Sequence, residues 1–549
     1  MRFAPRTTLA AHTHGRSLAN QTGRGWGLAL GLAGLATAGC SVVLDFPQCV
    51  DDVDCTNAAG TELVCRDSQC VEPIPPSTVA CVSDGECQSV FDESVVCGVG
   101  NVCAALTTER CELRIRPEGV ASQDVVYIGS ILPVTGTYEI FGAPLENAVQ
   151  LAVEDFNSSA TLPGGKRVAW VACDSQGSAV EAAAAASELV AAGVQAIIGP
   201  GLSSETVDVA NVTASSGVLL MSPTASARVL GQLNDNGLVW RTVGSDAMQA
   251  AGIADRIATL EPVPTRVVAL VKNDLYGQTL IEDLAPRLSD VLPGNGLGTL
   301  LHRDLDSFAS TDELLSEYGA RVASAFDADP QVIVILGSVE ARELVLFYLE
   351  AWSNADPRPA LPRFLVSSEA VPMLEPIVEA VSDNFKLTLM NNLEGITHDA
   401  QDPSAYDPFK VRYEIRFPNQ QAGLNAGLAY DATMSVLLAQ SALASGDGTG
   451  VEIAGAIARL ANPSGTPVSF GQGLGFIATV QDALANGGDV QLTGISGLLE
   501  FDPDSGNLRR NLTGWDVVPV SGTTNPRLRA NRRYVLDAAP AVTGTWEDL

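Results

Sequence analysis

The chain has 549 residues, 46% of them hydrophobic, enough for two or three domains with buried cores. Asp and Glu number 64 against 32 Lys and Arg, a formal net charge of −32. That balance repels phosphate backbones and anionic lipid heads, which argues against nucleic acid as a partner and against polybasic membrane attachment.

Residues 1–39 contain Arg2, Arg6, Arg16 and Arg24 and no acidic residue, and residues 26–36 are apolar. Charge followed by a short apolar stretch is the order of an export signal. The stretch is too short and too glycine-rich for a spanning helix. It runs into Thr37-Ala38-Gly39-Cys40, and this end resembles a bacterial lipobox. The resemblance implies that residues 1–39 are a lipoprotein signal peptide and that Cys40 is acylated, anchoring the protein to a membrane outside the cytoplasm. Two or three acyl chains hold a protein stably where one does not. Thr37 stands where the motif usually has Leu, and an ordinary signal peptide with Cys40 in a disulfide is the other reading.

Eleven cysteines are present, ten of them between Cys40 and Cys111. Dense clustering points to disulfides and an oxidising compartment. A metal site would want CxxC pairs or interleaved histidines. The four histidines, His12, His14, His302 and His398, lie outside the cluster, so no metal is expected. With Cys40 acylated, ten cysteines remain, an even number.

Within the cluster lies a repeat. Cys49, Cys55, Cys65 and Cys70 are separated by five, nine and four residues, and Cys81, Cys87, Cys97 and Cys103 by five, nine and five. Each unit (49–70, 81–103) is too small for a hydrophobic core, and two disulfides would supply the missing stability. Three connectivities are open for each unit. The proline-rich residues 71–76 separate the units as a stiff spacer. We expect residues 40–112 to form a Cys-rich stalk, followed by a linker at 113–123. Asp45, Asp51, Asp52 and Asp54 lack the ligand spacing of a calcium loop.

From Asp124 onward, short β-branched runs alternate with Ala- and Leu-rich stretches. Strands are predicted at 125–132, 167–173, 194–198, 218–221, 266–271, 332–336, 364–366 and 387–390. Helices are predicted at 145–156, 178–192, 278–288 and 340–352. In the first helix Leu145, Ala148, Val149, Ala152 and Phe156 share one face. The alternation predicts an α/β fold of parallel sheets flanked by helices. Nearly 400 residues exceed one such sheet, so two lobes with a cleft between them are expected.

Nine segments of this region, in order, carry a family resemblance: IGSILPVTG (128–136), FG (141–142) with AVQLAVEDFN (148–157), DSQG (174–177), VQAIIGP (194–200) with Ser203 and Ser204, SPTAS (222–226), WRTVGSD (240–246), DLYG (274–277), AYDA (429–432) and FDPDSGN (501–507). Together they resemble type I periplasmic-binding proteins of the branched-chain amino acid-binding kind over residues 124–534. The resemblance implies two lobes joined by three crossovers near residues 243, 390 and 498. Lobe 1 is then 124–243 and 391–497, lobe 2 is 244–390 and 498–534, and 535–549 is a C-terminal tail. It implies no cofactor, a small-molecule ligand in the cleft, and delivery to an ABC permease.

The resemblance also places ligand contacts. Ser203, Ser204, Thr224 and Ser226 lie in turns that would grip a carboxylate and an ammonium, and free amides at a helix start make an anion seat. Glu369 matches a lobe 2 acid that pairs with the ligand ammonium, because a carboxylate in a closed cleft needs a cationic partner. Phe141 matches an aromatic cleft wall. Ser338 stands where amino acid binders often place Tyr, which implies a different or roomier pocket. The plainer readings stay open: the serines cap helices, Glu369 is a solvated loop residue and Phe141 packs in a core. Leu202 lies where some relatives have a disulfide cysteine, which leaves Cys173 without that partner. Cys111 is the other cysteine outside the repeats, and a Cys111–Cys173 bridge would tie the stalk to lobe 1.

An enzyme is the competing class. With residues 1–39 removed, His302 and His398, far apart, leave little for a Ser-His-Asp system, and no Walker loop, GxGxxG or HExxH occurs. Asp502 and Asp504 sit in a turn and read as structural. A sensor that signals to a partner protein, or a surface-exposed binding protein, is the third class, and the disulfide-rich region, which is not part of the usual transporter-associated pattern, raises it somewhat.

Overall fold

The computed structural model describes residues 55, 64–66, 69–71, 74–292, 296–303, 310–398, 403–423, 425–539 and 542–549. Cys40 and Cys49 lie outside them. The chain divides into two compact units, Met1–Pro75 and Pro76–Leu549. In the first, the antiparallel strands Val64–Arg66 and Gln69–Val71 put Cys65 opposite Cys70, and Cys70 is bonded to Cys55.

The second unit opens with the second four-cysteine repeat. Helix Asp84–Val90 packs on the antiparallel strands Val95–Cys97 and Cys103–Ala105. Cys81 bonds Cys97 and Cys87 bonds Cys103, each across a separation of 16 residues. This first-to-third, second-to-fourth pattern is one of the three connectivities. Closing loops of that size stabilises so small a module by about 3 kcal/mol each in the chain-entropy account.

The second module is built into the larger domain, so residues 76–111 of the expected stalk pack on lobe 1. Val96 and Leu106 belong to one apolar cluster with Leu189, Ala192 and Val218. Val99 N–H donates to the Ala191 carbonyl at 2.9 Å. A Cβ on Gly98 would come within 2.1 Å of that carbonyl oxygen, so glycine is what permits the approach. Arg110 pairs with Glu181 at 2.6 Å and Glu188 at 3.1 Å, and Cys111 bonds Cys173.

Lobe 1 carries a six-stranded sheet. Its strands are β1 (Cys111–Ile115), β2 (Val125–Leu132), β3 (Arg167–Asp174), β4 (Ala196–Ile198), β5 (Leu219–Ser222) and β6 (Val239–Arg241), in the order β6-β5-β4-β2-β3-β1. All pairs are parallel except β1 with β3. The expected linker thus supplies an edge strand. Strands covered on both faces read as unbroken apolar runs, as β2 and β3 do, and the Trp170 indole in β3 finds its acceptor in Ser130 Oγ at 2.9 Å.

Lobe 2 carries eight strands: β7 (Val267–Lys272), β8 (Leu297–His302), β9 (Val332–Leu336), β10 (Arg363–Val366), β11 (Leu393–His398), β12 (Leu512–Pro519), β13 (Pro526–Leu536) and β14 (Gly544–Asp548). Their order is β8-β7-β9-β10-β11-β12-β13-β14, parallel as far as β11 and antiparallel beyond. Strands β2 and β9 begin and end where the sequence predicts. The strand predicted at 387–390 is the last turn of helix Asp383–Met390. Ser382 enters that helix in an extended conformation, Asp383 favours its positive end, and Leu389 and Met390 are buried. The strand comes next, as β11, all six residues of which are buried.

Three boundaries move accordingly. β11 hydrogen-bonds into the lobe 2 sheet, so the second crossover lies after residue 398 rather than near 390. The third precedes β12, which starts at Leu512 rather than near 498. Residues 535–549 are no tail: they complete β13 and form β14, whose Trp546 packs on Tyr534 and donates to the Gly252 carbonyl at 3.0 Å.

The crossovers are tied by buried polar contacts. Asp431 accepts hydrogen bonds from the amides of Ile495 and Ser496 at 2.7 and 2.8 Å, and a Cβ on Gly494 would collide with that carboxylate. Asp502 accepts from Asp504 N–H and Ser505 Oγ in the 501–507 turn, a structural role for that segment. Arg241 reaches from β6 to Asn507 and to the carbonyls of Ala225 and Ala227. Among the described residues no helix is long and apolar enough to cross a membrane.

Candidate functional site

In a doubly wound sheet, loops at the carboxyl ends of the strands face the crevice. In lobe 1 these are the segment after β2, carrying Tyr138 and Phe141, the turn 199–203 after β4 and the turn 223–226 after β5. In lobe 2 they are Lys272 at the end of β7, His302 at the end of β8, Ser338 after β9 and Glu369 after β10.

The lobe 1 wall is rigid and internally bonded. Leu202, in extended conformation, precedes helix Ser203–Ser216 without a side-chain cap, so the first amides of that helix have no capping side chain. Ser203 Oγ accepts from Ala227 N–H at 3.2 Å, Thr224 Oγ1 donates to the Gly201 carbonyl at 2.7 Å, and Ser222 Oγ donates to the Pro200 carbonyl at 2.6 Å. These bonds stitch the two turns together. A Cβ on Gly201 would stand 3.0 Å from Phe141 and 3.3 Å from Thr224 Oγ1, which locates all three side by side. Ser226 is buried beside Asp246. Burial pushes that carboxyl up to about 7, against the Ser226 hydroxyl and the Arg241 charge, which favour ionisation. Ser204 is only half-buried and does not line the cavity between the lobes.

The lobe 2 wall is charged. Lys272 is buried, pairs with Asp274 at 2.7 Å and crosses the cleft to donate to Tyr138 Oη at 2.8 Å, its ammonium 5.0 Å from that ring's centre. Glu340 accepts from Ser338 N–H at 3.0 Å and Ser338 Oγ at 3.2 Å, and lies 3.8 Å from His302. A Cβ on Gly337 would meet that carboxylate at 2.1 Å, so glycine admits it.

Glu369, in the 3₁₀ turn Ser368–Met373, is 6% exposed, and its Oε1 has no hydrogen-bond partner. Burial pushes its carboxyl well above the usual range. Lys272 opposes the shift, while Asp274, Asp246 and Glu340 reinforce it. Burial favours the protonated form of such a group, and an arriving cation favours the ionised form.

The lobes meet around a cavity of about 10 Å³ lined by Tyr138, Ile140, Phe141, Leu202, Ser338, Val339, Glu369, Pro372 and Met373. Of the residues singled out in the sequence, Phe141, Ser338 and Glu369 line it. Thr224 adjoins it through Phe141 and Gly201, and Ser203 and Ser226 stand behind that wall. Ser338 in place of a larger side chain does not leave the pocket roomy: Val339, Met373 and Tyr138 fill the space. Sequence reasoning missed Lys272 and Tyr138. A lysine ending the apolar run VVALV of β7 is the available signal, since a strand's carboxyl end points into the crevice.

Two parallel-sheet lobes, three crossovers and a buried polar cleft define the type I periplasmic-binding fold. The model of the family described as "Periplasmic binding protein" matches residues 125–340 of this chain. The Leu/Ile/Val-binding protein BraC3 of Rhizobium johnstonii is 33% identical over 160 residues, 29% of this chain. That match spans 42% of the length of BraC3. The chemotactic signal transduction system substrate-binding protein BasB of Halobacterium salinarum is 26% identical over 399 residues, 71% of this chain and 87% of that protein. Among solved structures, the leucine-binding protein LivK of Thermotoga maritima superimposes with a TM-score of 0.55 at 20% identity, covering 74% of this chain and 98% of that one.

Proposed function

We propose that this protein is an extracytoplasmic solute-binding lipoprotein that captures a small amine-bearing ligand, an amino acid or related amine or amide, between its lobes and delivers it to an ABC permease. The observation that carries the reading is the Glu369 carboxylate, buried at the lobe interface with one oxygen unpartnered. A buried acid of this kind is stabilised by a ligand ammonium. The uncapped start of helix Ser203–Ser216 suits a ligand carboxylate. Binding occurs without chemistry on the ligand. Cys40 carries the lipid anchor, and the two Cys-rich units resist proteolysis at the membrane surface.

A thermal-shift screen of the processed chain with amino acids and small amides tests the reading. A ligand at a hundred times its Kd adds about 2.7 kcal/mol of apparent stability. A screen in which no amine raises Tm, while amine-free acids do, contradicts it.

A second reading is a sensor. Its support is the likeness to BasB, named as a component of chemotactic signalling, over 71% of this chain, together with a disulfide module fused to lobe 1. Deleting the gene separates the two. Lost uptake of labelled ligand supports transport, whereas intact uptake with lost taxis toward that ligand supports sensing.

A further inference from the structure

The interlobe cavity is too small for the ligand it would have to hold. At about 10 Å³ it has room for roughly one water-sized group. Three of its lining residues, Ile140, Phe141 and Pro372, also line a second and far larger space, a groove of about 1040 Å³. Both lobes build that groove: residues 136–144 and 406–426 on one side, Glu375, Trp515, Arg527 and Leu528 on the other. The small cavity is therefore the inner end of a continuous site, with the Ile140, Phe141 and Pro372 side chains at the neck. Pockets of several hundred Å³ suit ligands well beyond a single amino acid.

The linings divide the labour. At the inner end Glu369 offers one unpartnered carboxylate oxygen, fit for a small cation. Besides the charged Glu139, Glu375, Asp407 and Lys410, the groove offers amides: Gln421 and Asn425 line it, and neither side chain is hydrogen-bonded among the described residues. It also offers apolar surface at Ile140, which is 57% exposed. Arg527 is exposed on the groove's rim. An ammonium at one end, a body rich in amide groups with some apolar surface, and a carboxylate at the other end describe a short peptide.

We infer that the ligand is a short peptide with a free N-terminus, its ammonium at Glu369, its backbone against Gln421 and Asn425, and its carboxylate toward Arg527. The inference rests on the amine reading of Glu369 and adds the size and class of the molecule that bears the amine.

Calorimetric titration of the processed full chain with leucine, Leu-Gly-Gly, N-acetyl-Leu-Gly-Gly and Leu-Gly-Gly-amide tests it. The tripeptide is expected to bind at least tenfold more tightly than leucine. N-acetylation should remove at least that gain, and C-terminal amidation should cost threefold or more. The double variant Gln421→Ala/Arg527→Gln should bring the tripeptide to within threefold of leucine and leave leucine unchanged. Leucine binding as tightly as the tripeptide, or a tripeptide affinity untouched in the double variant, overturns the peptide inference alone. Binding of the acetylated peptide equal to that of the free one, or no binding of either leucine or the tripeptide, overturns the amine reading with it.

Discussion

The two walls of the cleft are built on opposite plans. In lobe 1 Ser203, Ser222 and Thr224 spend hydrogen bonds on the turns that carry them, so the wall is rigid before any ligand arrives. In lobe 2 Lys272, Asp274, Glu340 and Glu369 crowd together, and Glu369 keeps an unpartnered oxygen. Preorganisation and demand can thus be divided between lobes: one presents a fixed surface, the other a charge imbalance that a ligand corrects. Lobe 1 substitutions should then cost stability as well as binding, and lobe 2 substitutions should separate the two.

The largest effect is expected at Lys272. Lys272→Met removes the buried cation and leaves Asp274 and its neighbours uncompensated, a loss of about 3 kcal/mol in urea unfolding. A variant as stable as the parent would show that the acids are neutral without it. Glu369→Gln should behave oppositely: stability equal to or above the parent, because a buried acid becomes a neutral amide, with amine affinity about a hundredfold weaker, or about 2.7 kcal/mol. Equal losses of stability and affinity would make Glu369 a structural residue and erase the contrast.

His398, at the end of β11, sharpens the comparison through pH. Burial first, then the Arg510 and Arg241 charges, hold its imidazole down to about 3, below its ordinary 6.5. Its contribution to stability is whole above pH 6.5 and drains as pH falls toward 3. Between pH 6.5 and 5 the parent should lose about 2 kcal/mol more than His398→Gln in paired urea melts. Identical slopes would mean that the ring is solvated. The smallest effect belongs to Ser203→Ala, which strands the Ala227 amide. A loss of about 1 kcal/mol in stability, with a several-fold loss in affinity, is expected. Loss of affinity alone would give lobe 1 the character assigned to lobe 2.

The same contrast explains what the sequence made legible. The lobe 1 wall is coded locally: Ser203, Thr224 and Ser226 sit in short turns directly after the apolar strands β4 and β5, so the motif marks the turns, although these three side chains do not line the inner cavity. The lobe 2 wall is assembled from the ends of four strands, with Lys272, His302, Ser338 and Glu369 some thirty residues apart each time. Only Glu369 and Ser338 carried a family signal, so Lys272 went unseen. The sheets were legible wherever β-branched runs were buried on both faces, as in β2 and β9. The run LTLM at 387–390 is ambiguous because so short a mostly apolar run fits a helix end as well as a strand. The second Cys-rich unit misled for a different reason. Its internal pattern is periodic, but the contacts that seat it on lobe 1, Val99 on Ala191 and Arg110 on Glu181, lie about 70 to 90 residues away in sequence.

Burial favours the protonated form of Glu369 in the unliganded cleft, and a ligand ammonium favours its ionisation. Titrating the processed chain at pH 6 with its tightest-binding amine, in buffers of different ionisation enthalpy, counts the protons exchanged on binding. A release approaching one proton per site, abolished in Glu369→Gln, is the expected result. No release by the parent, or the same release by the variant, would contradict it.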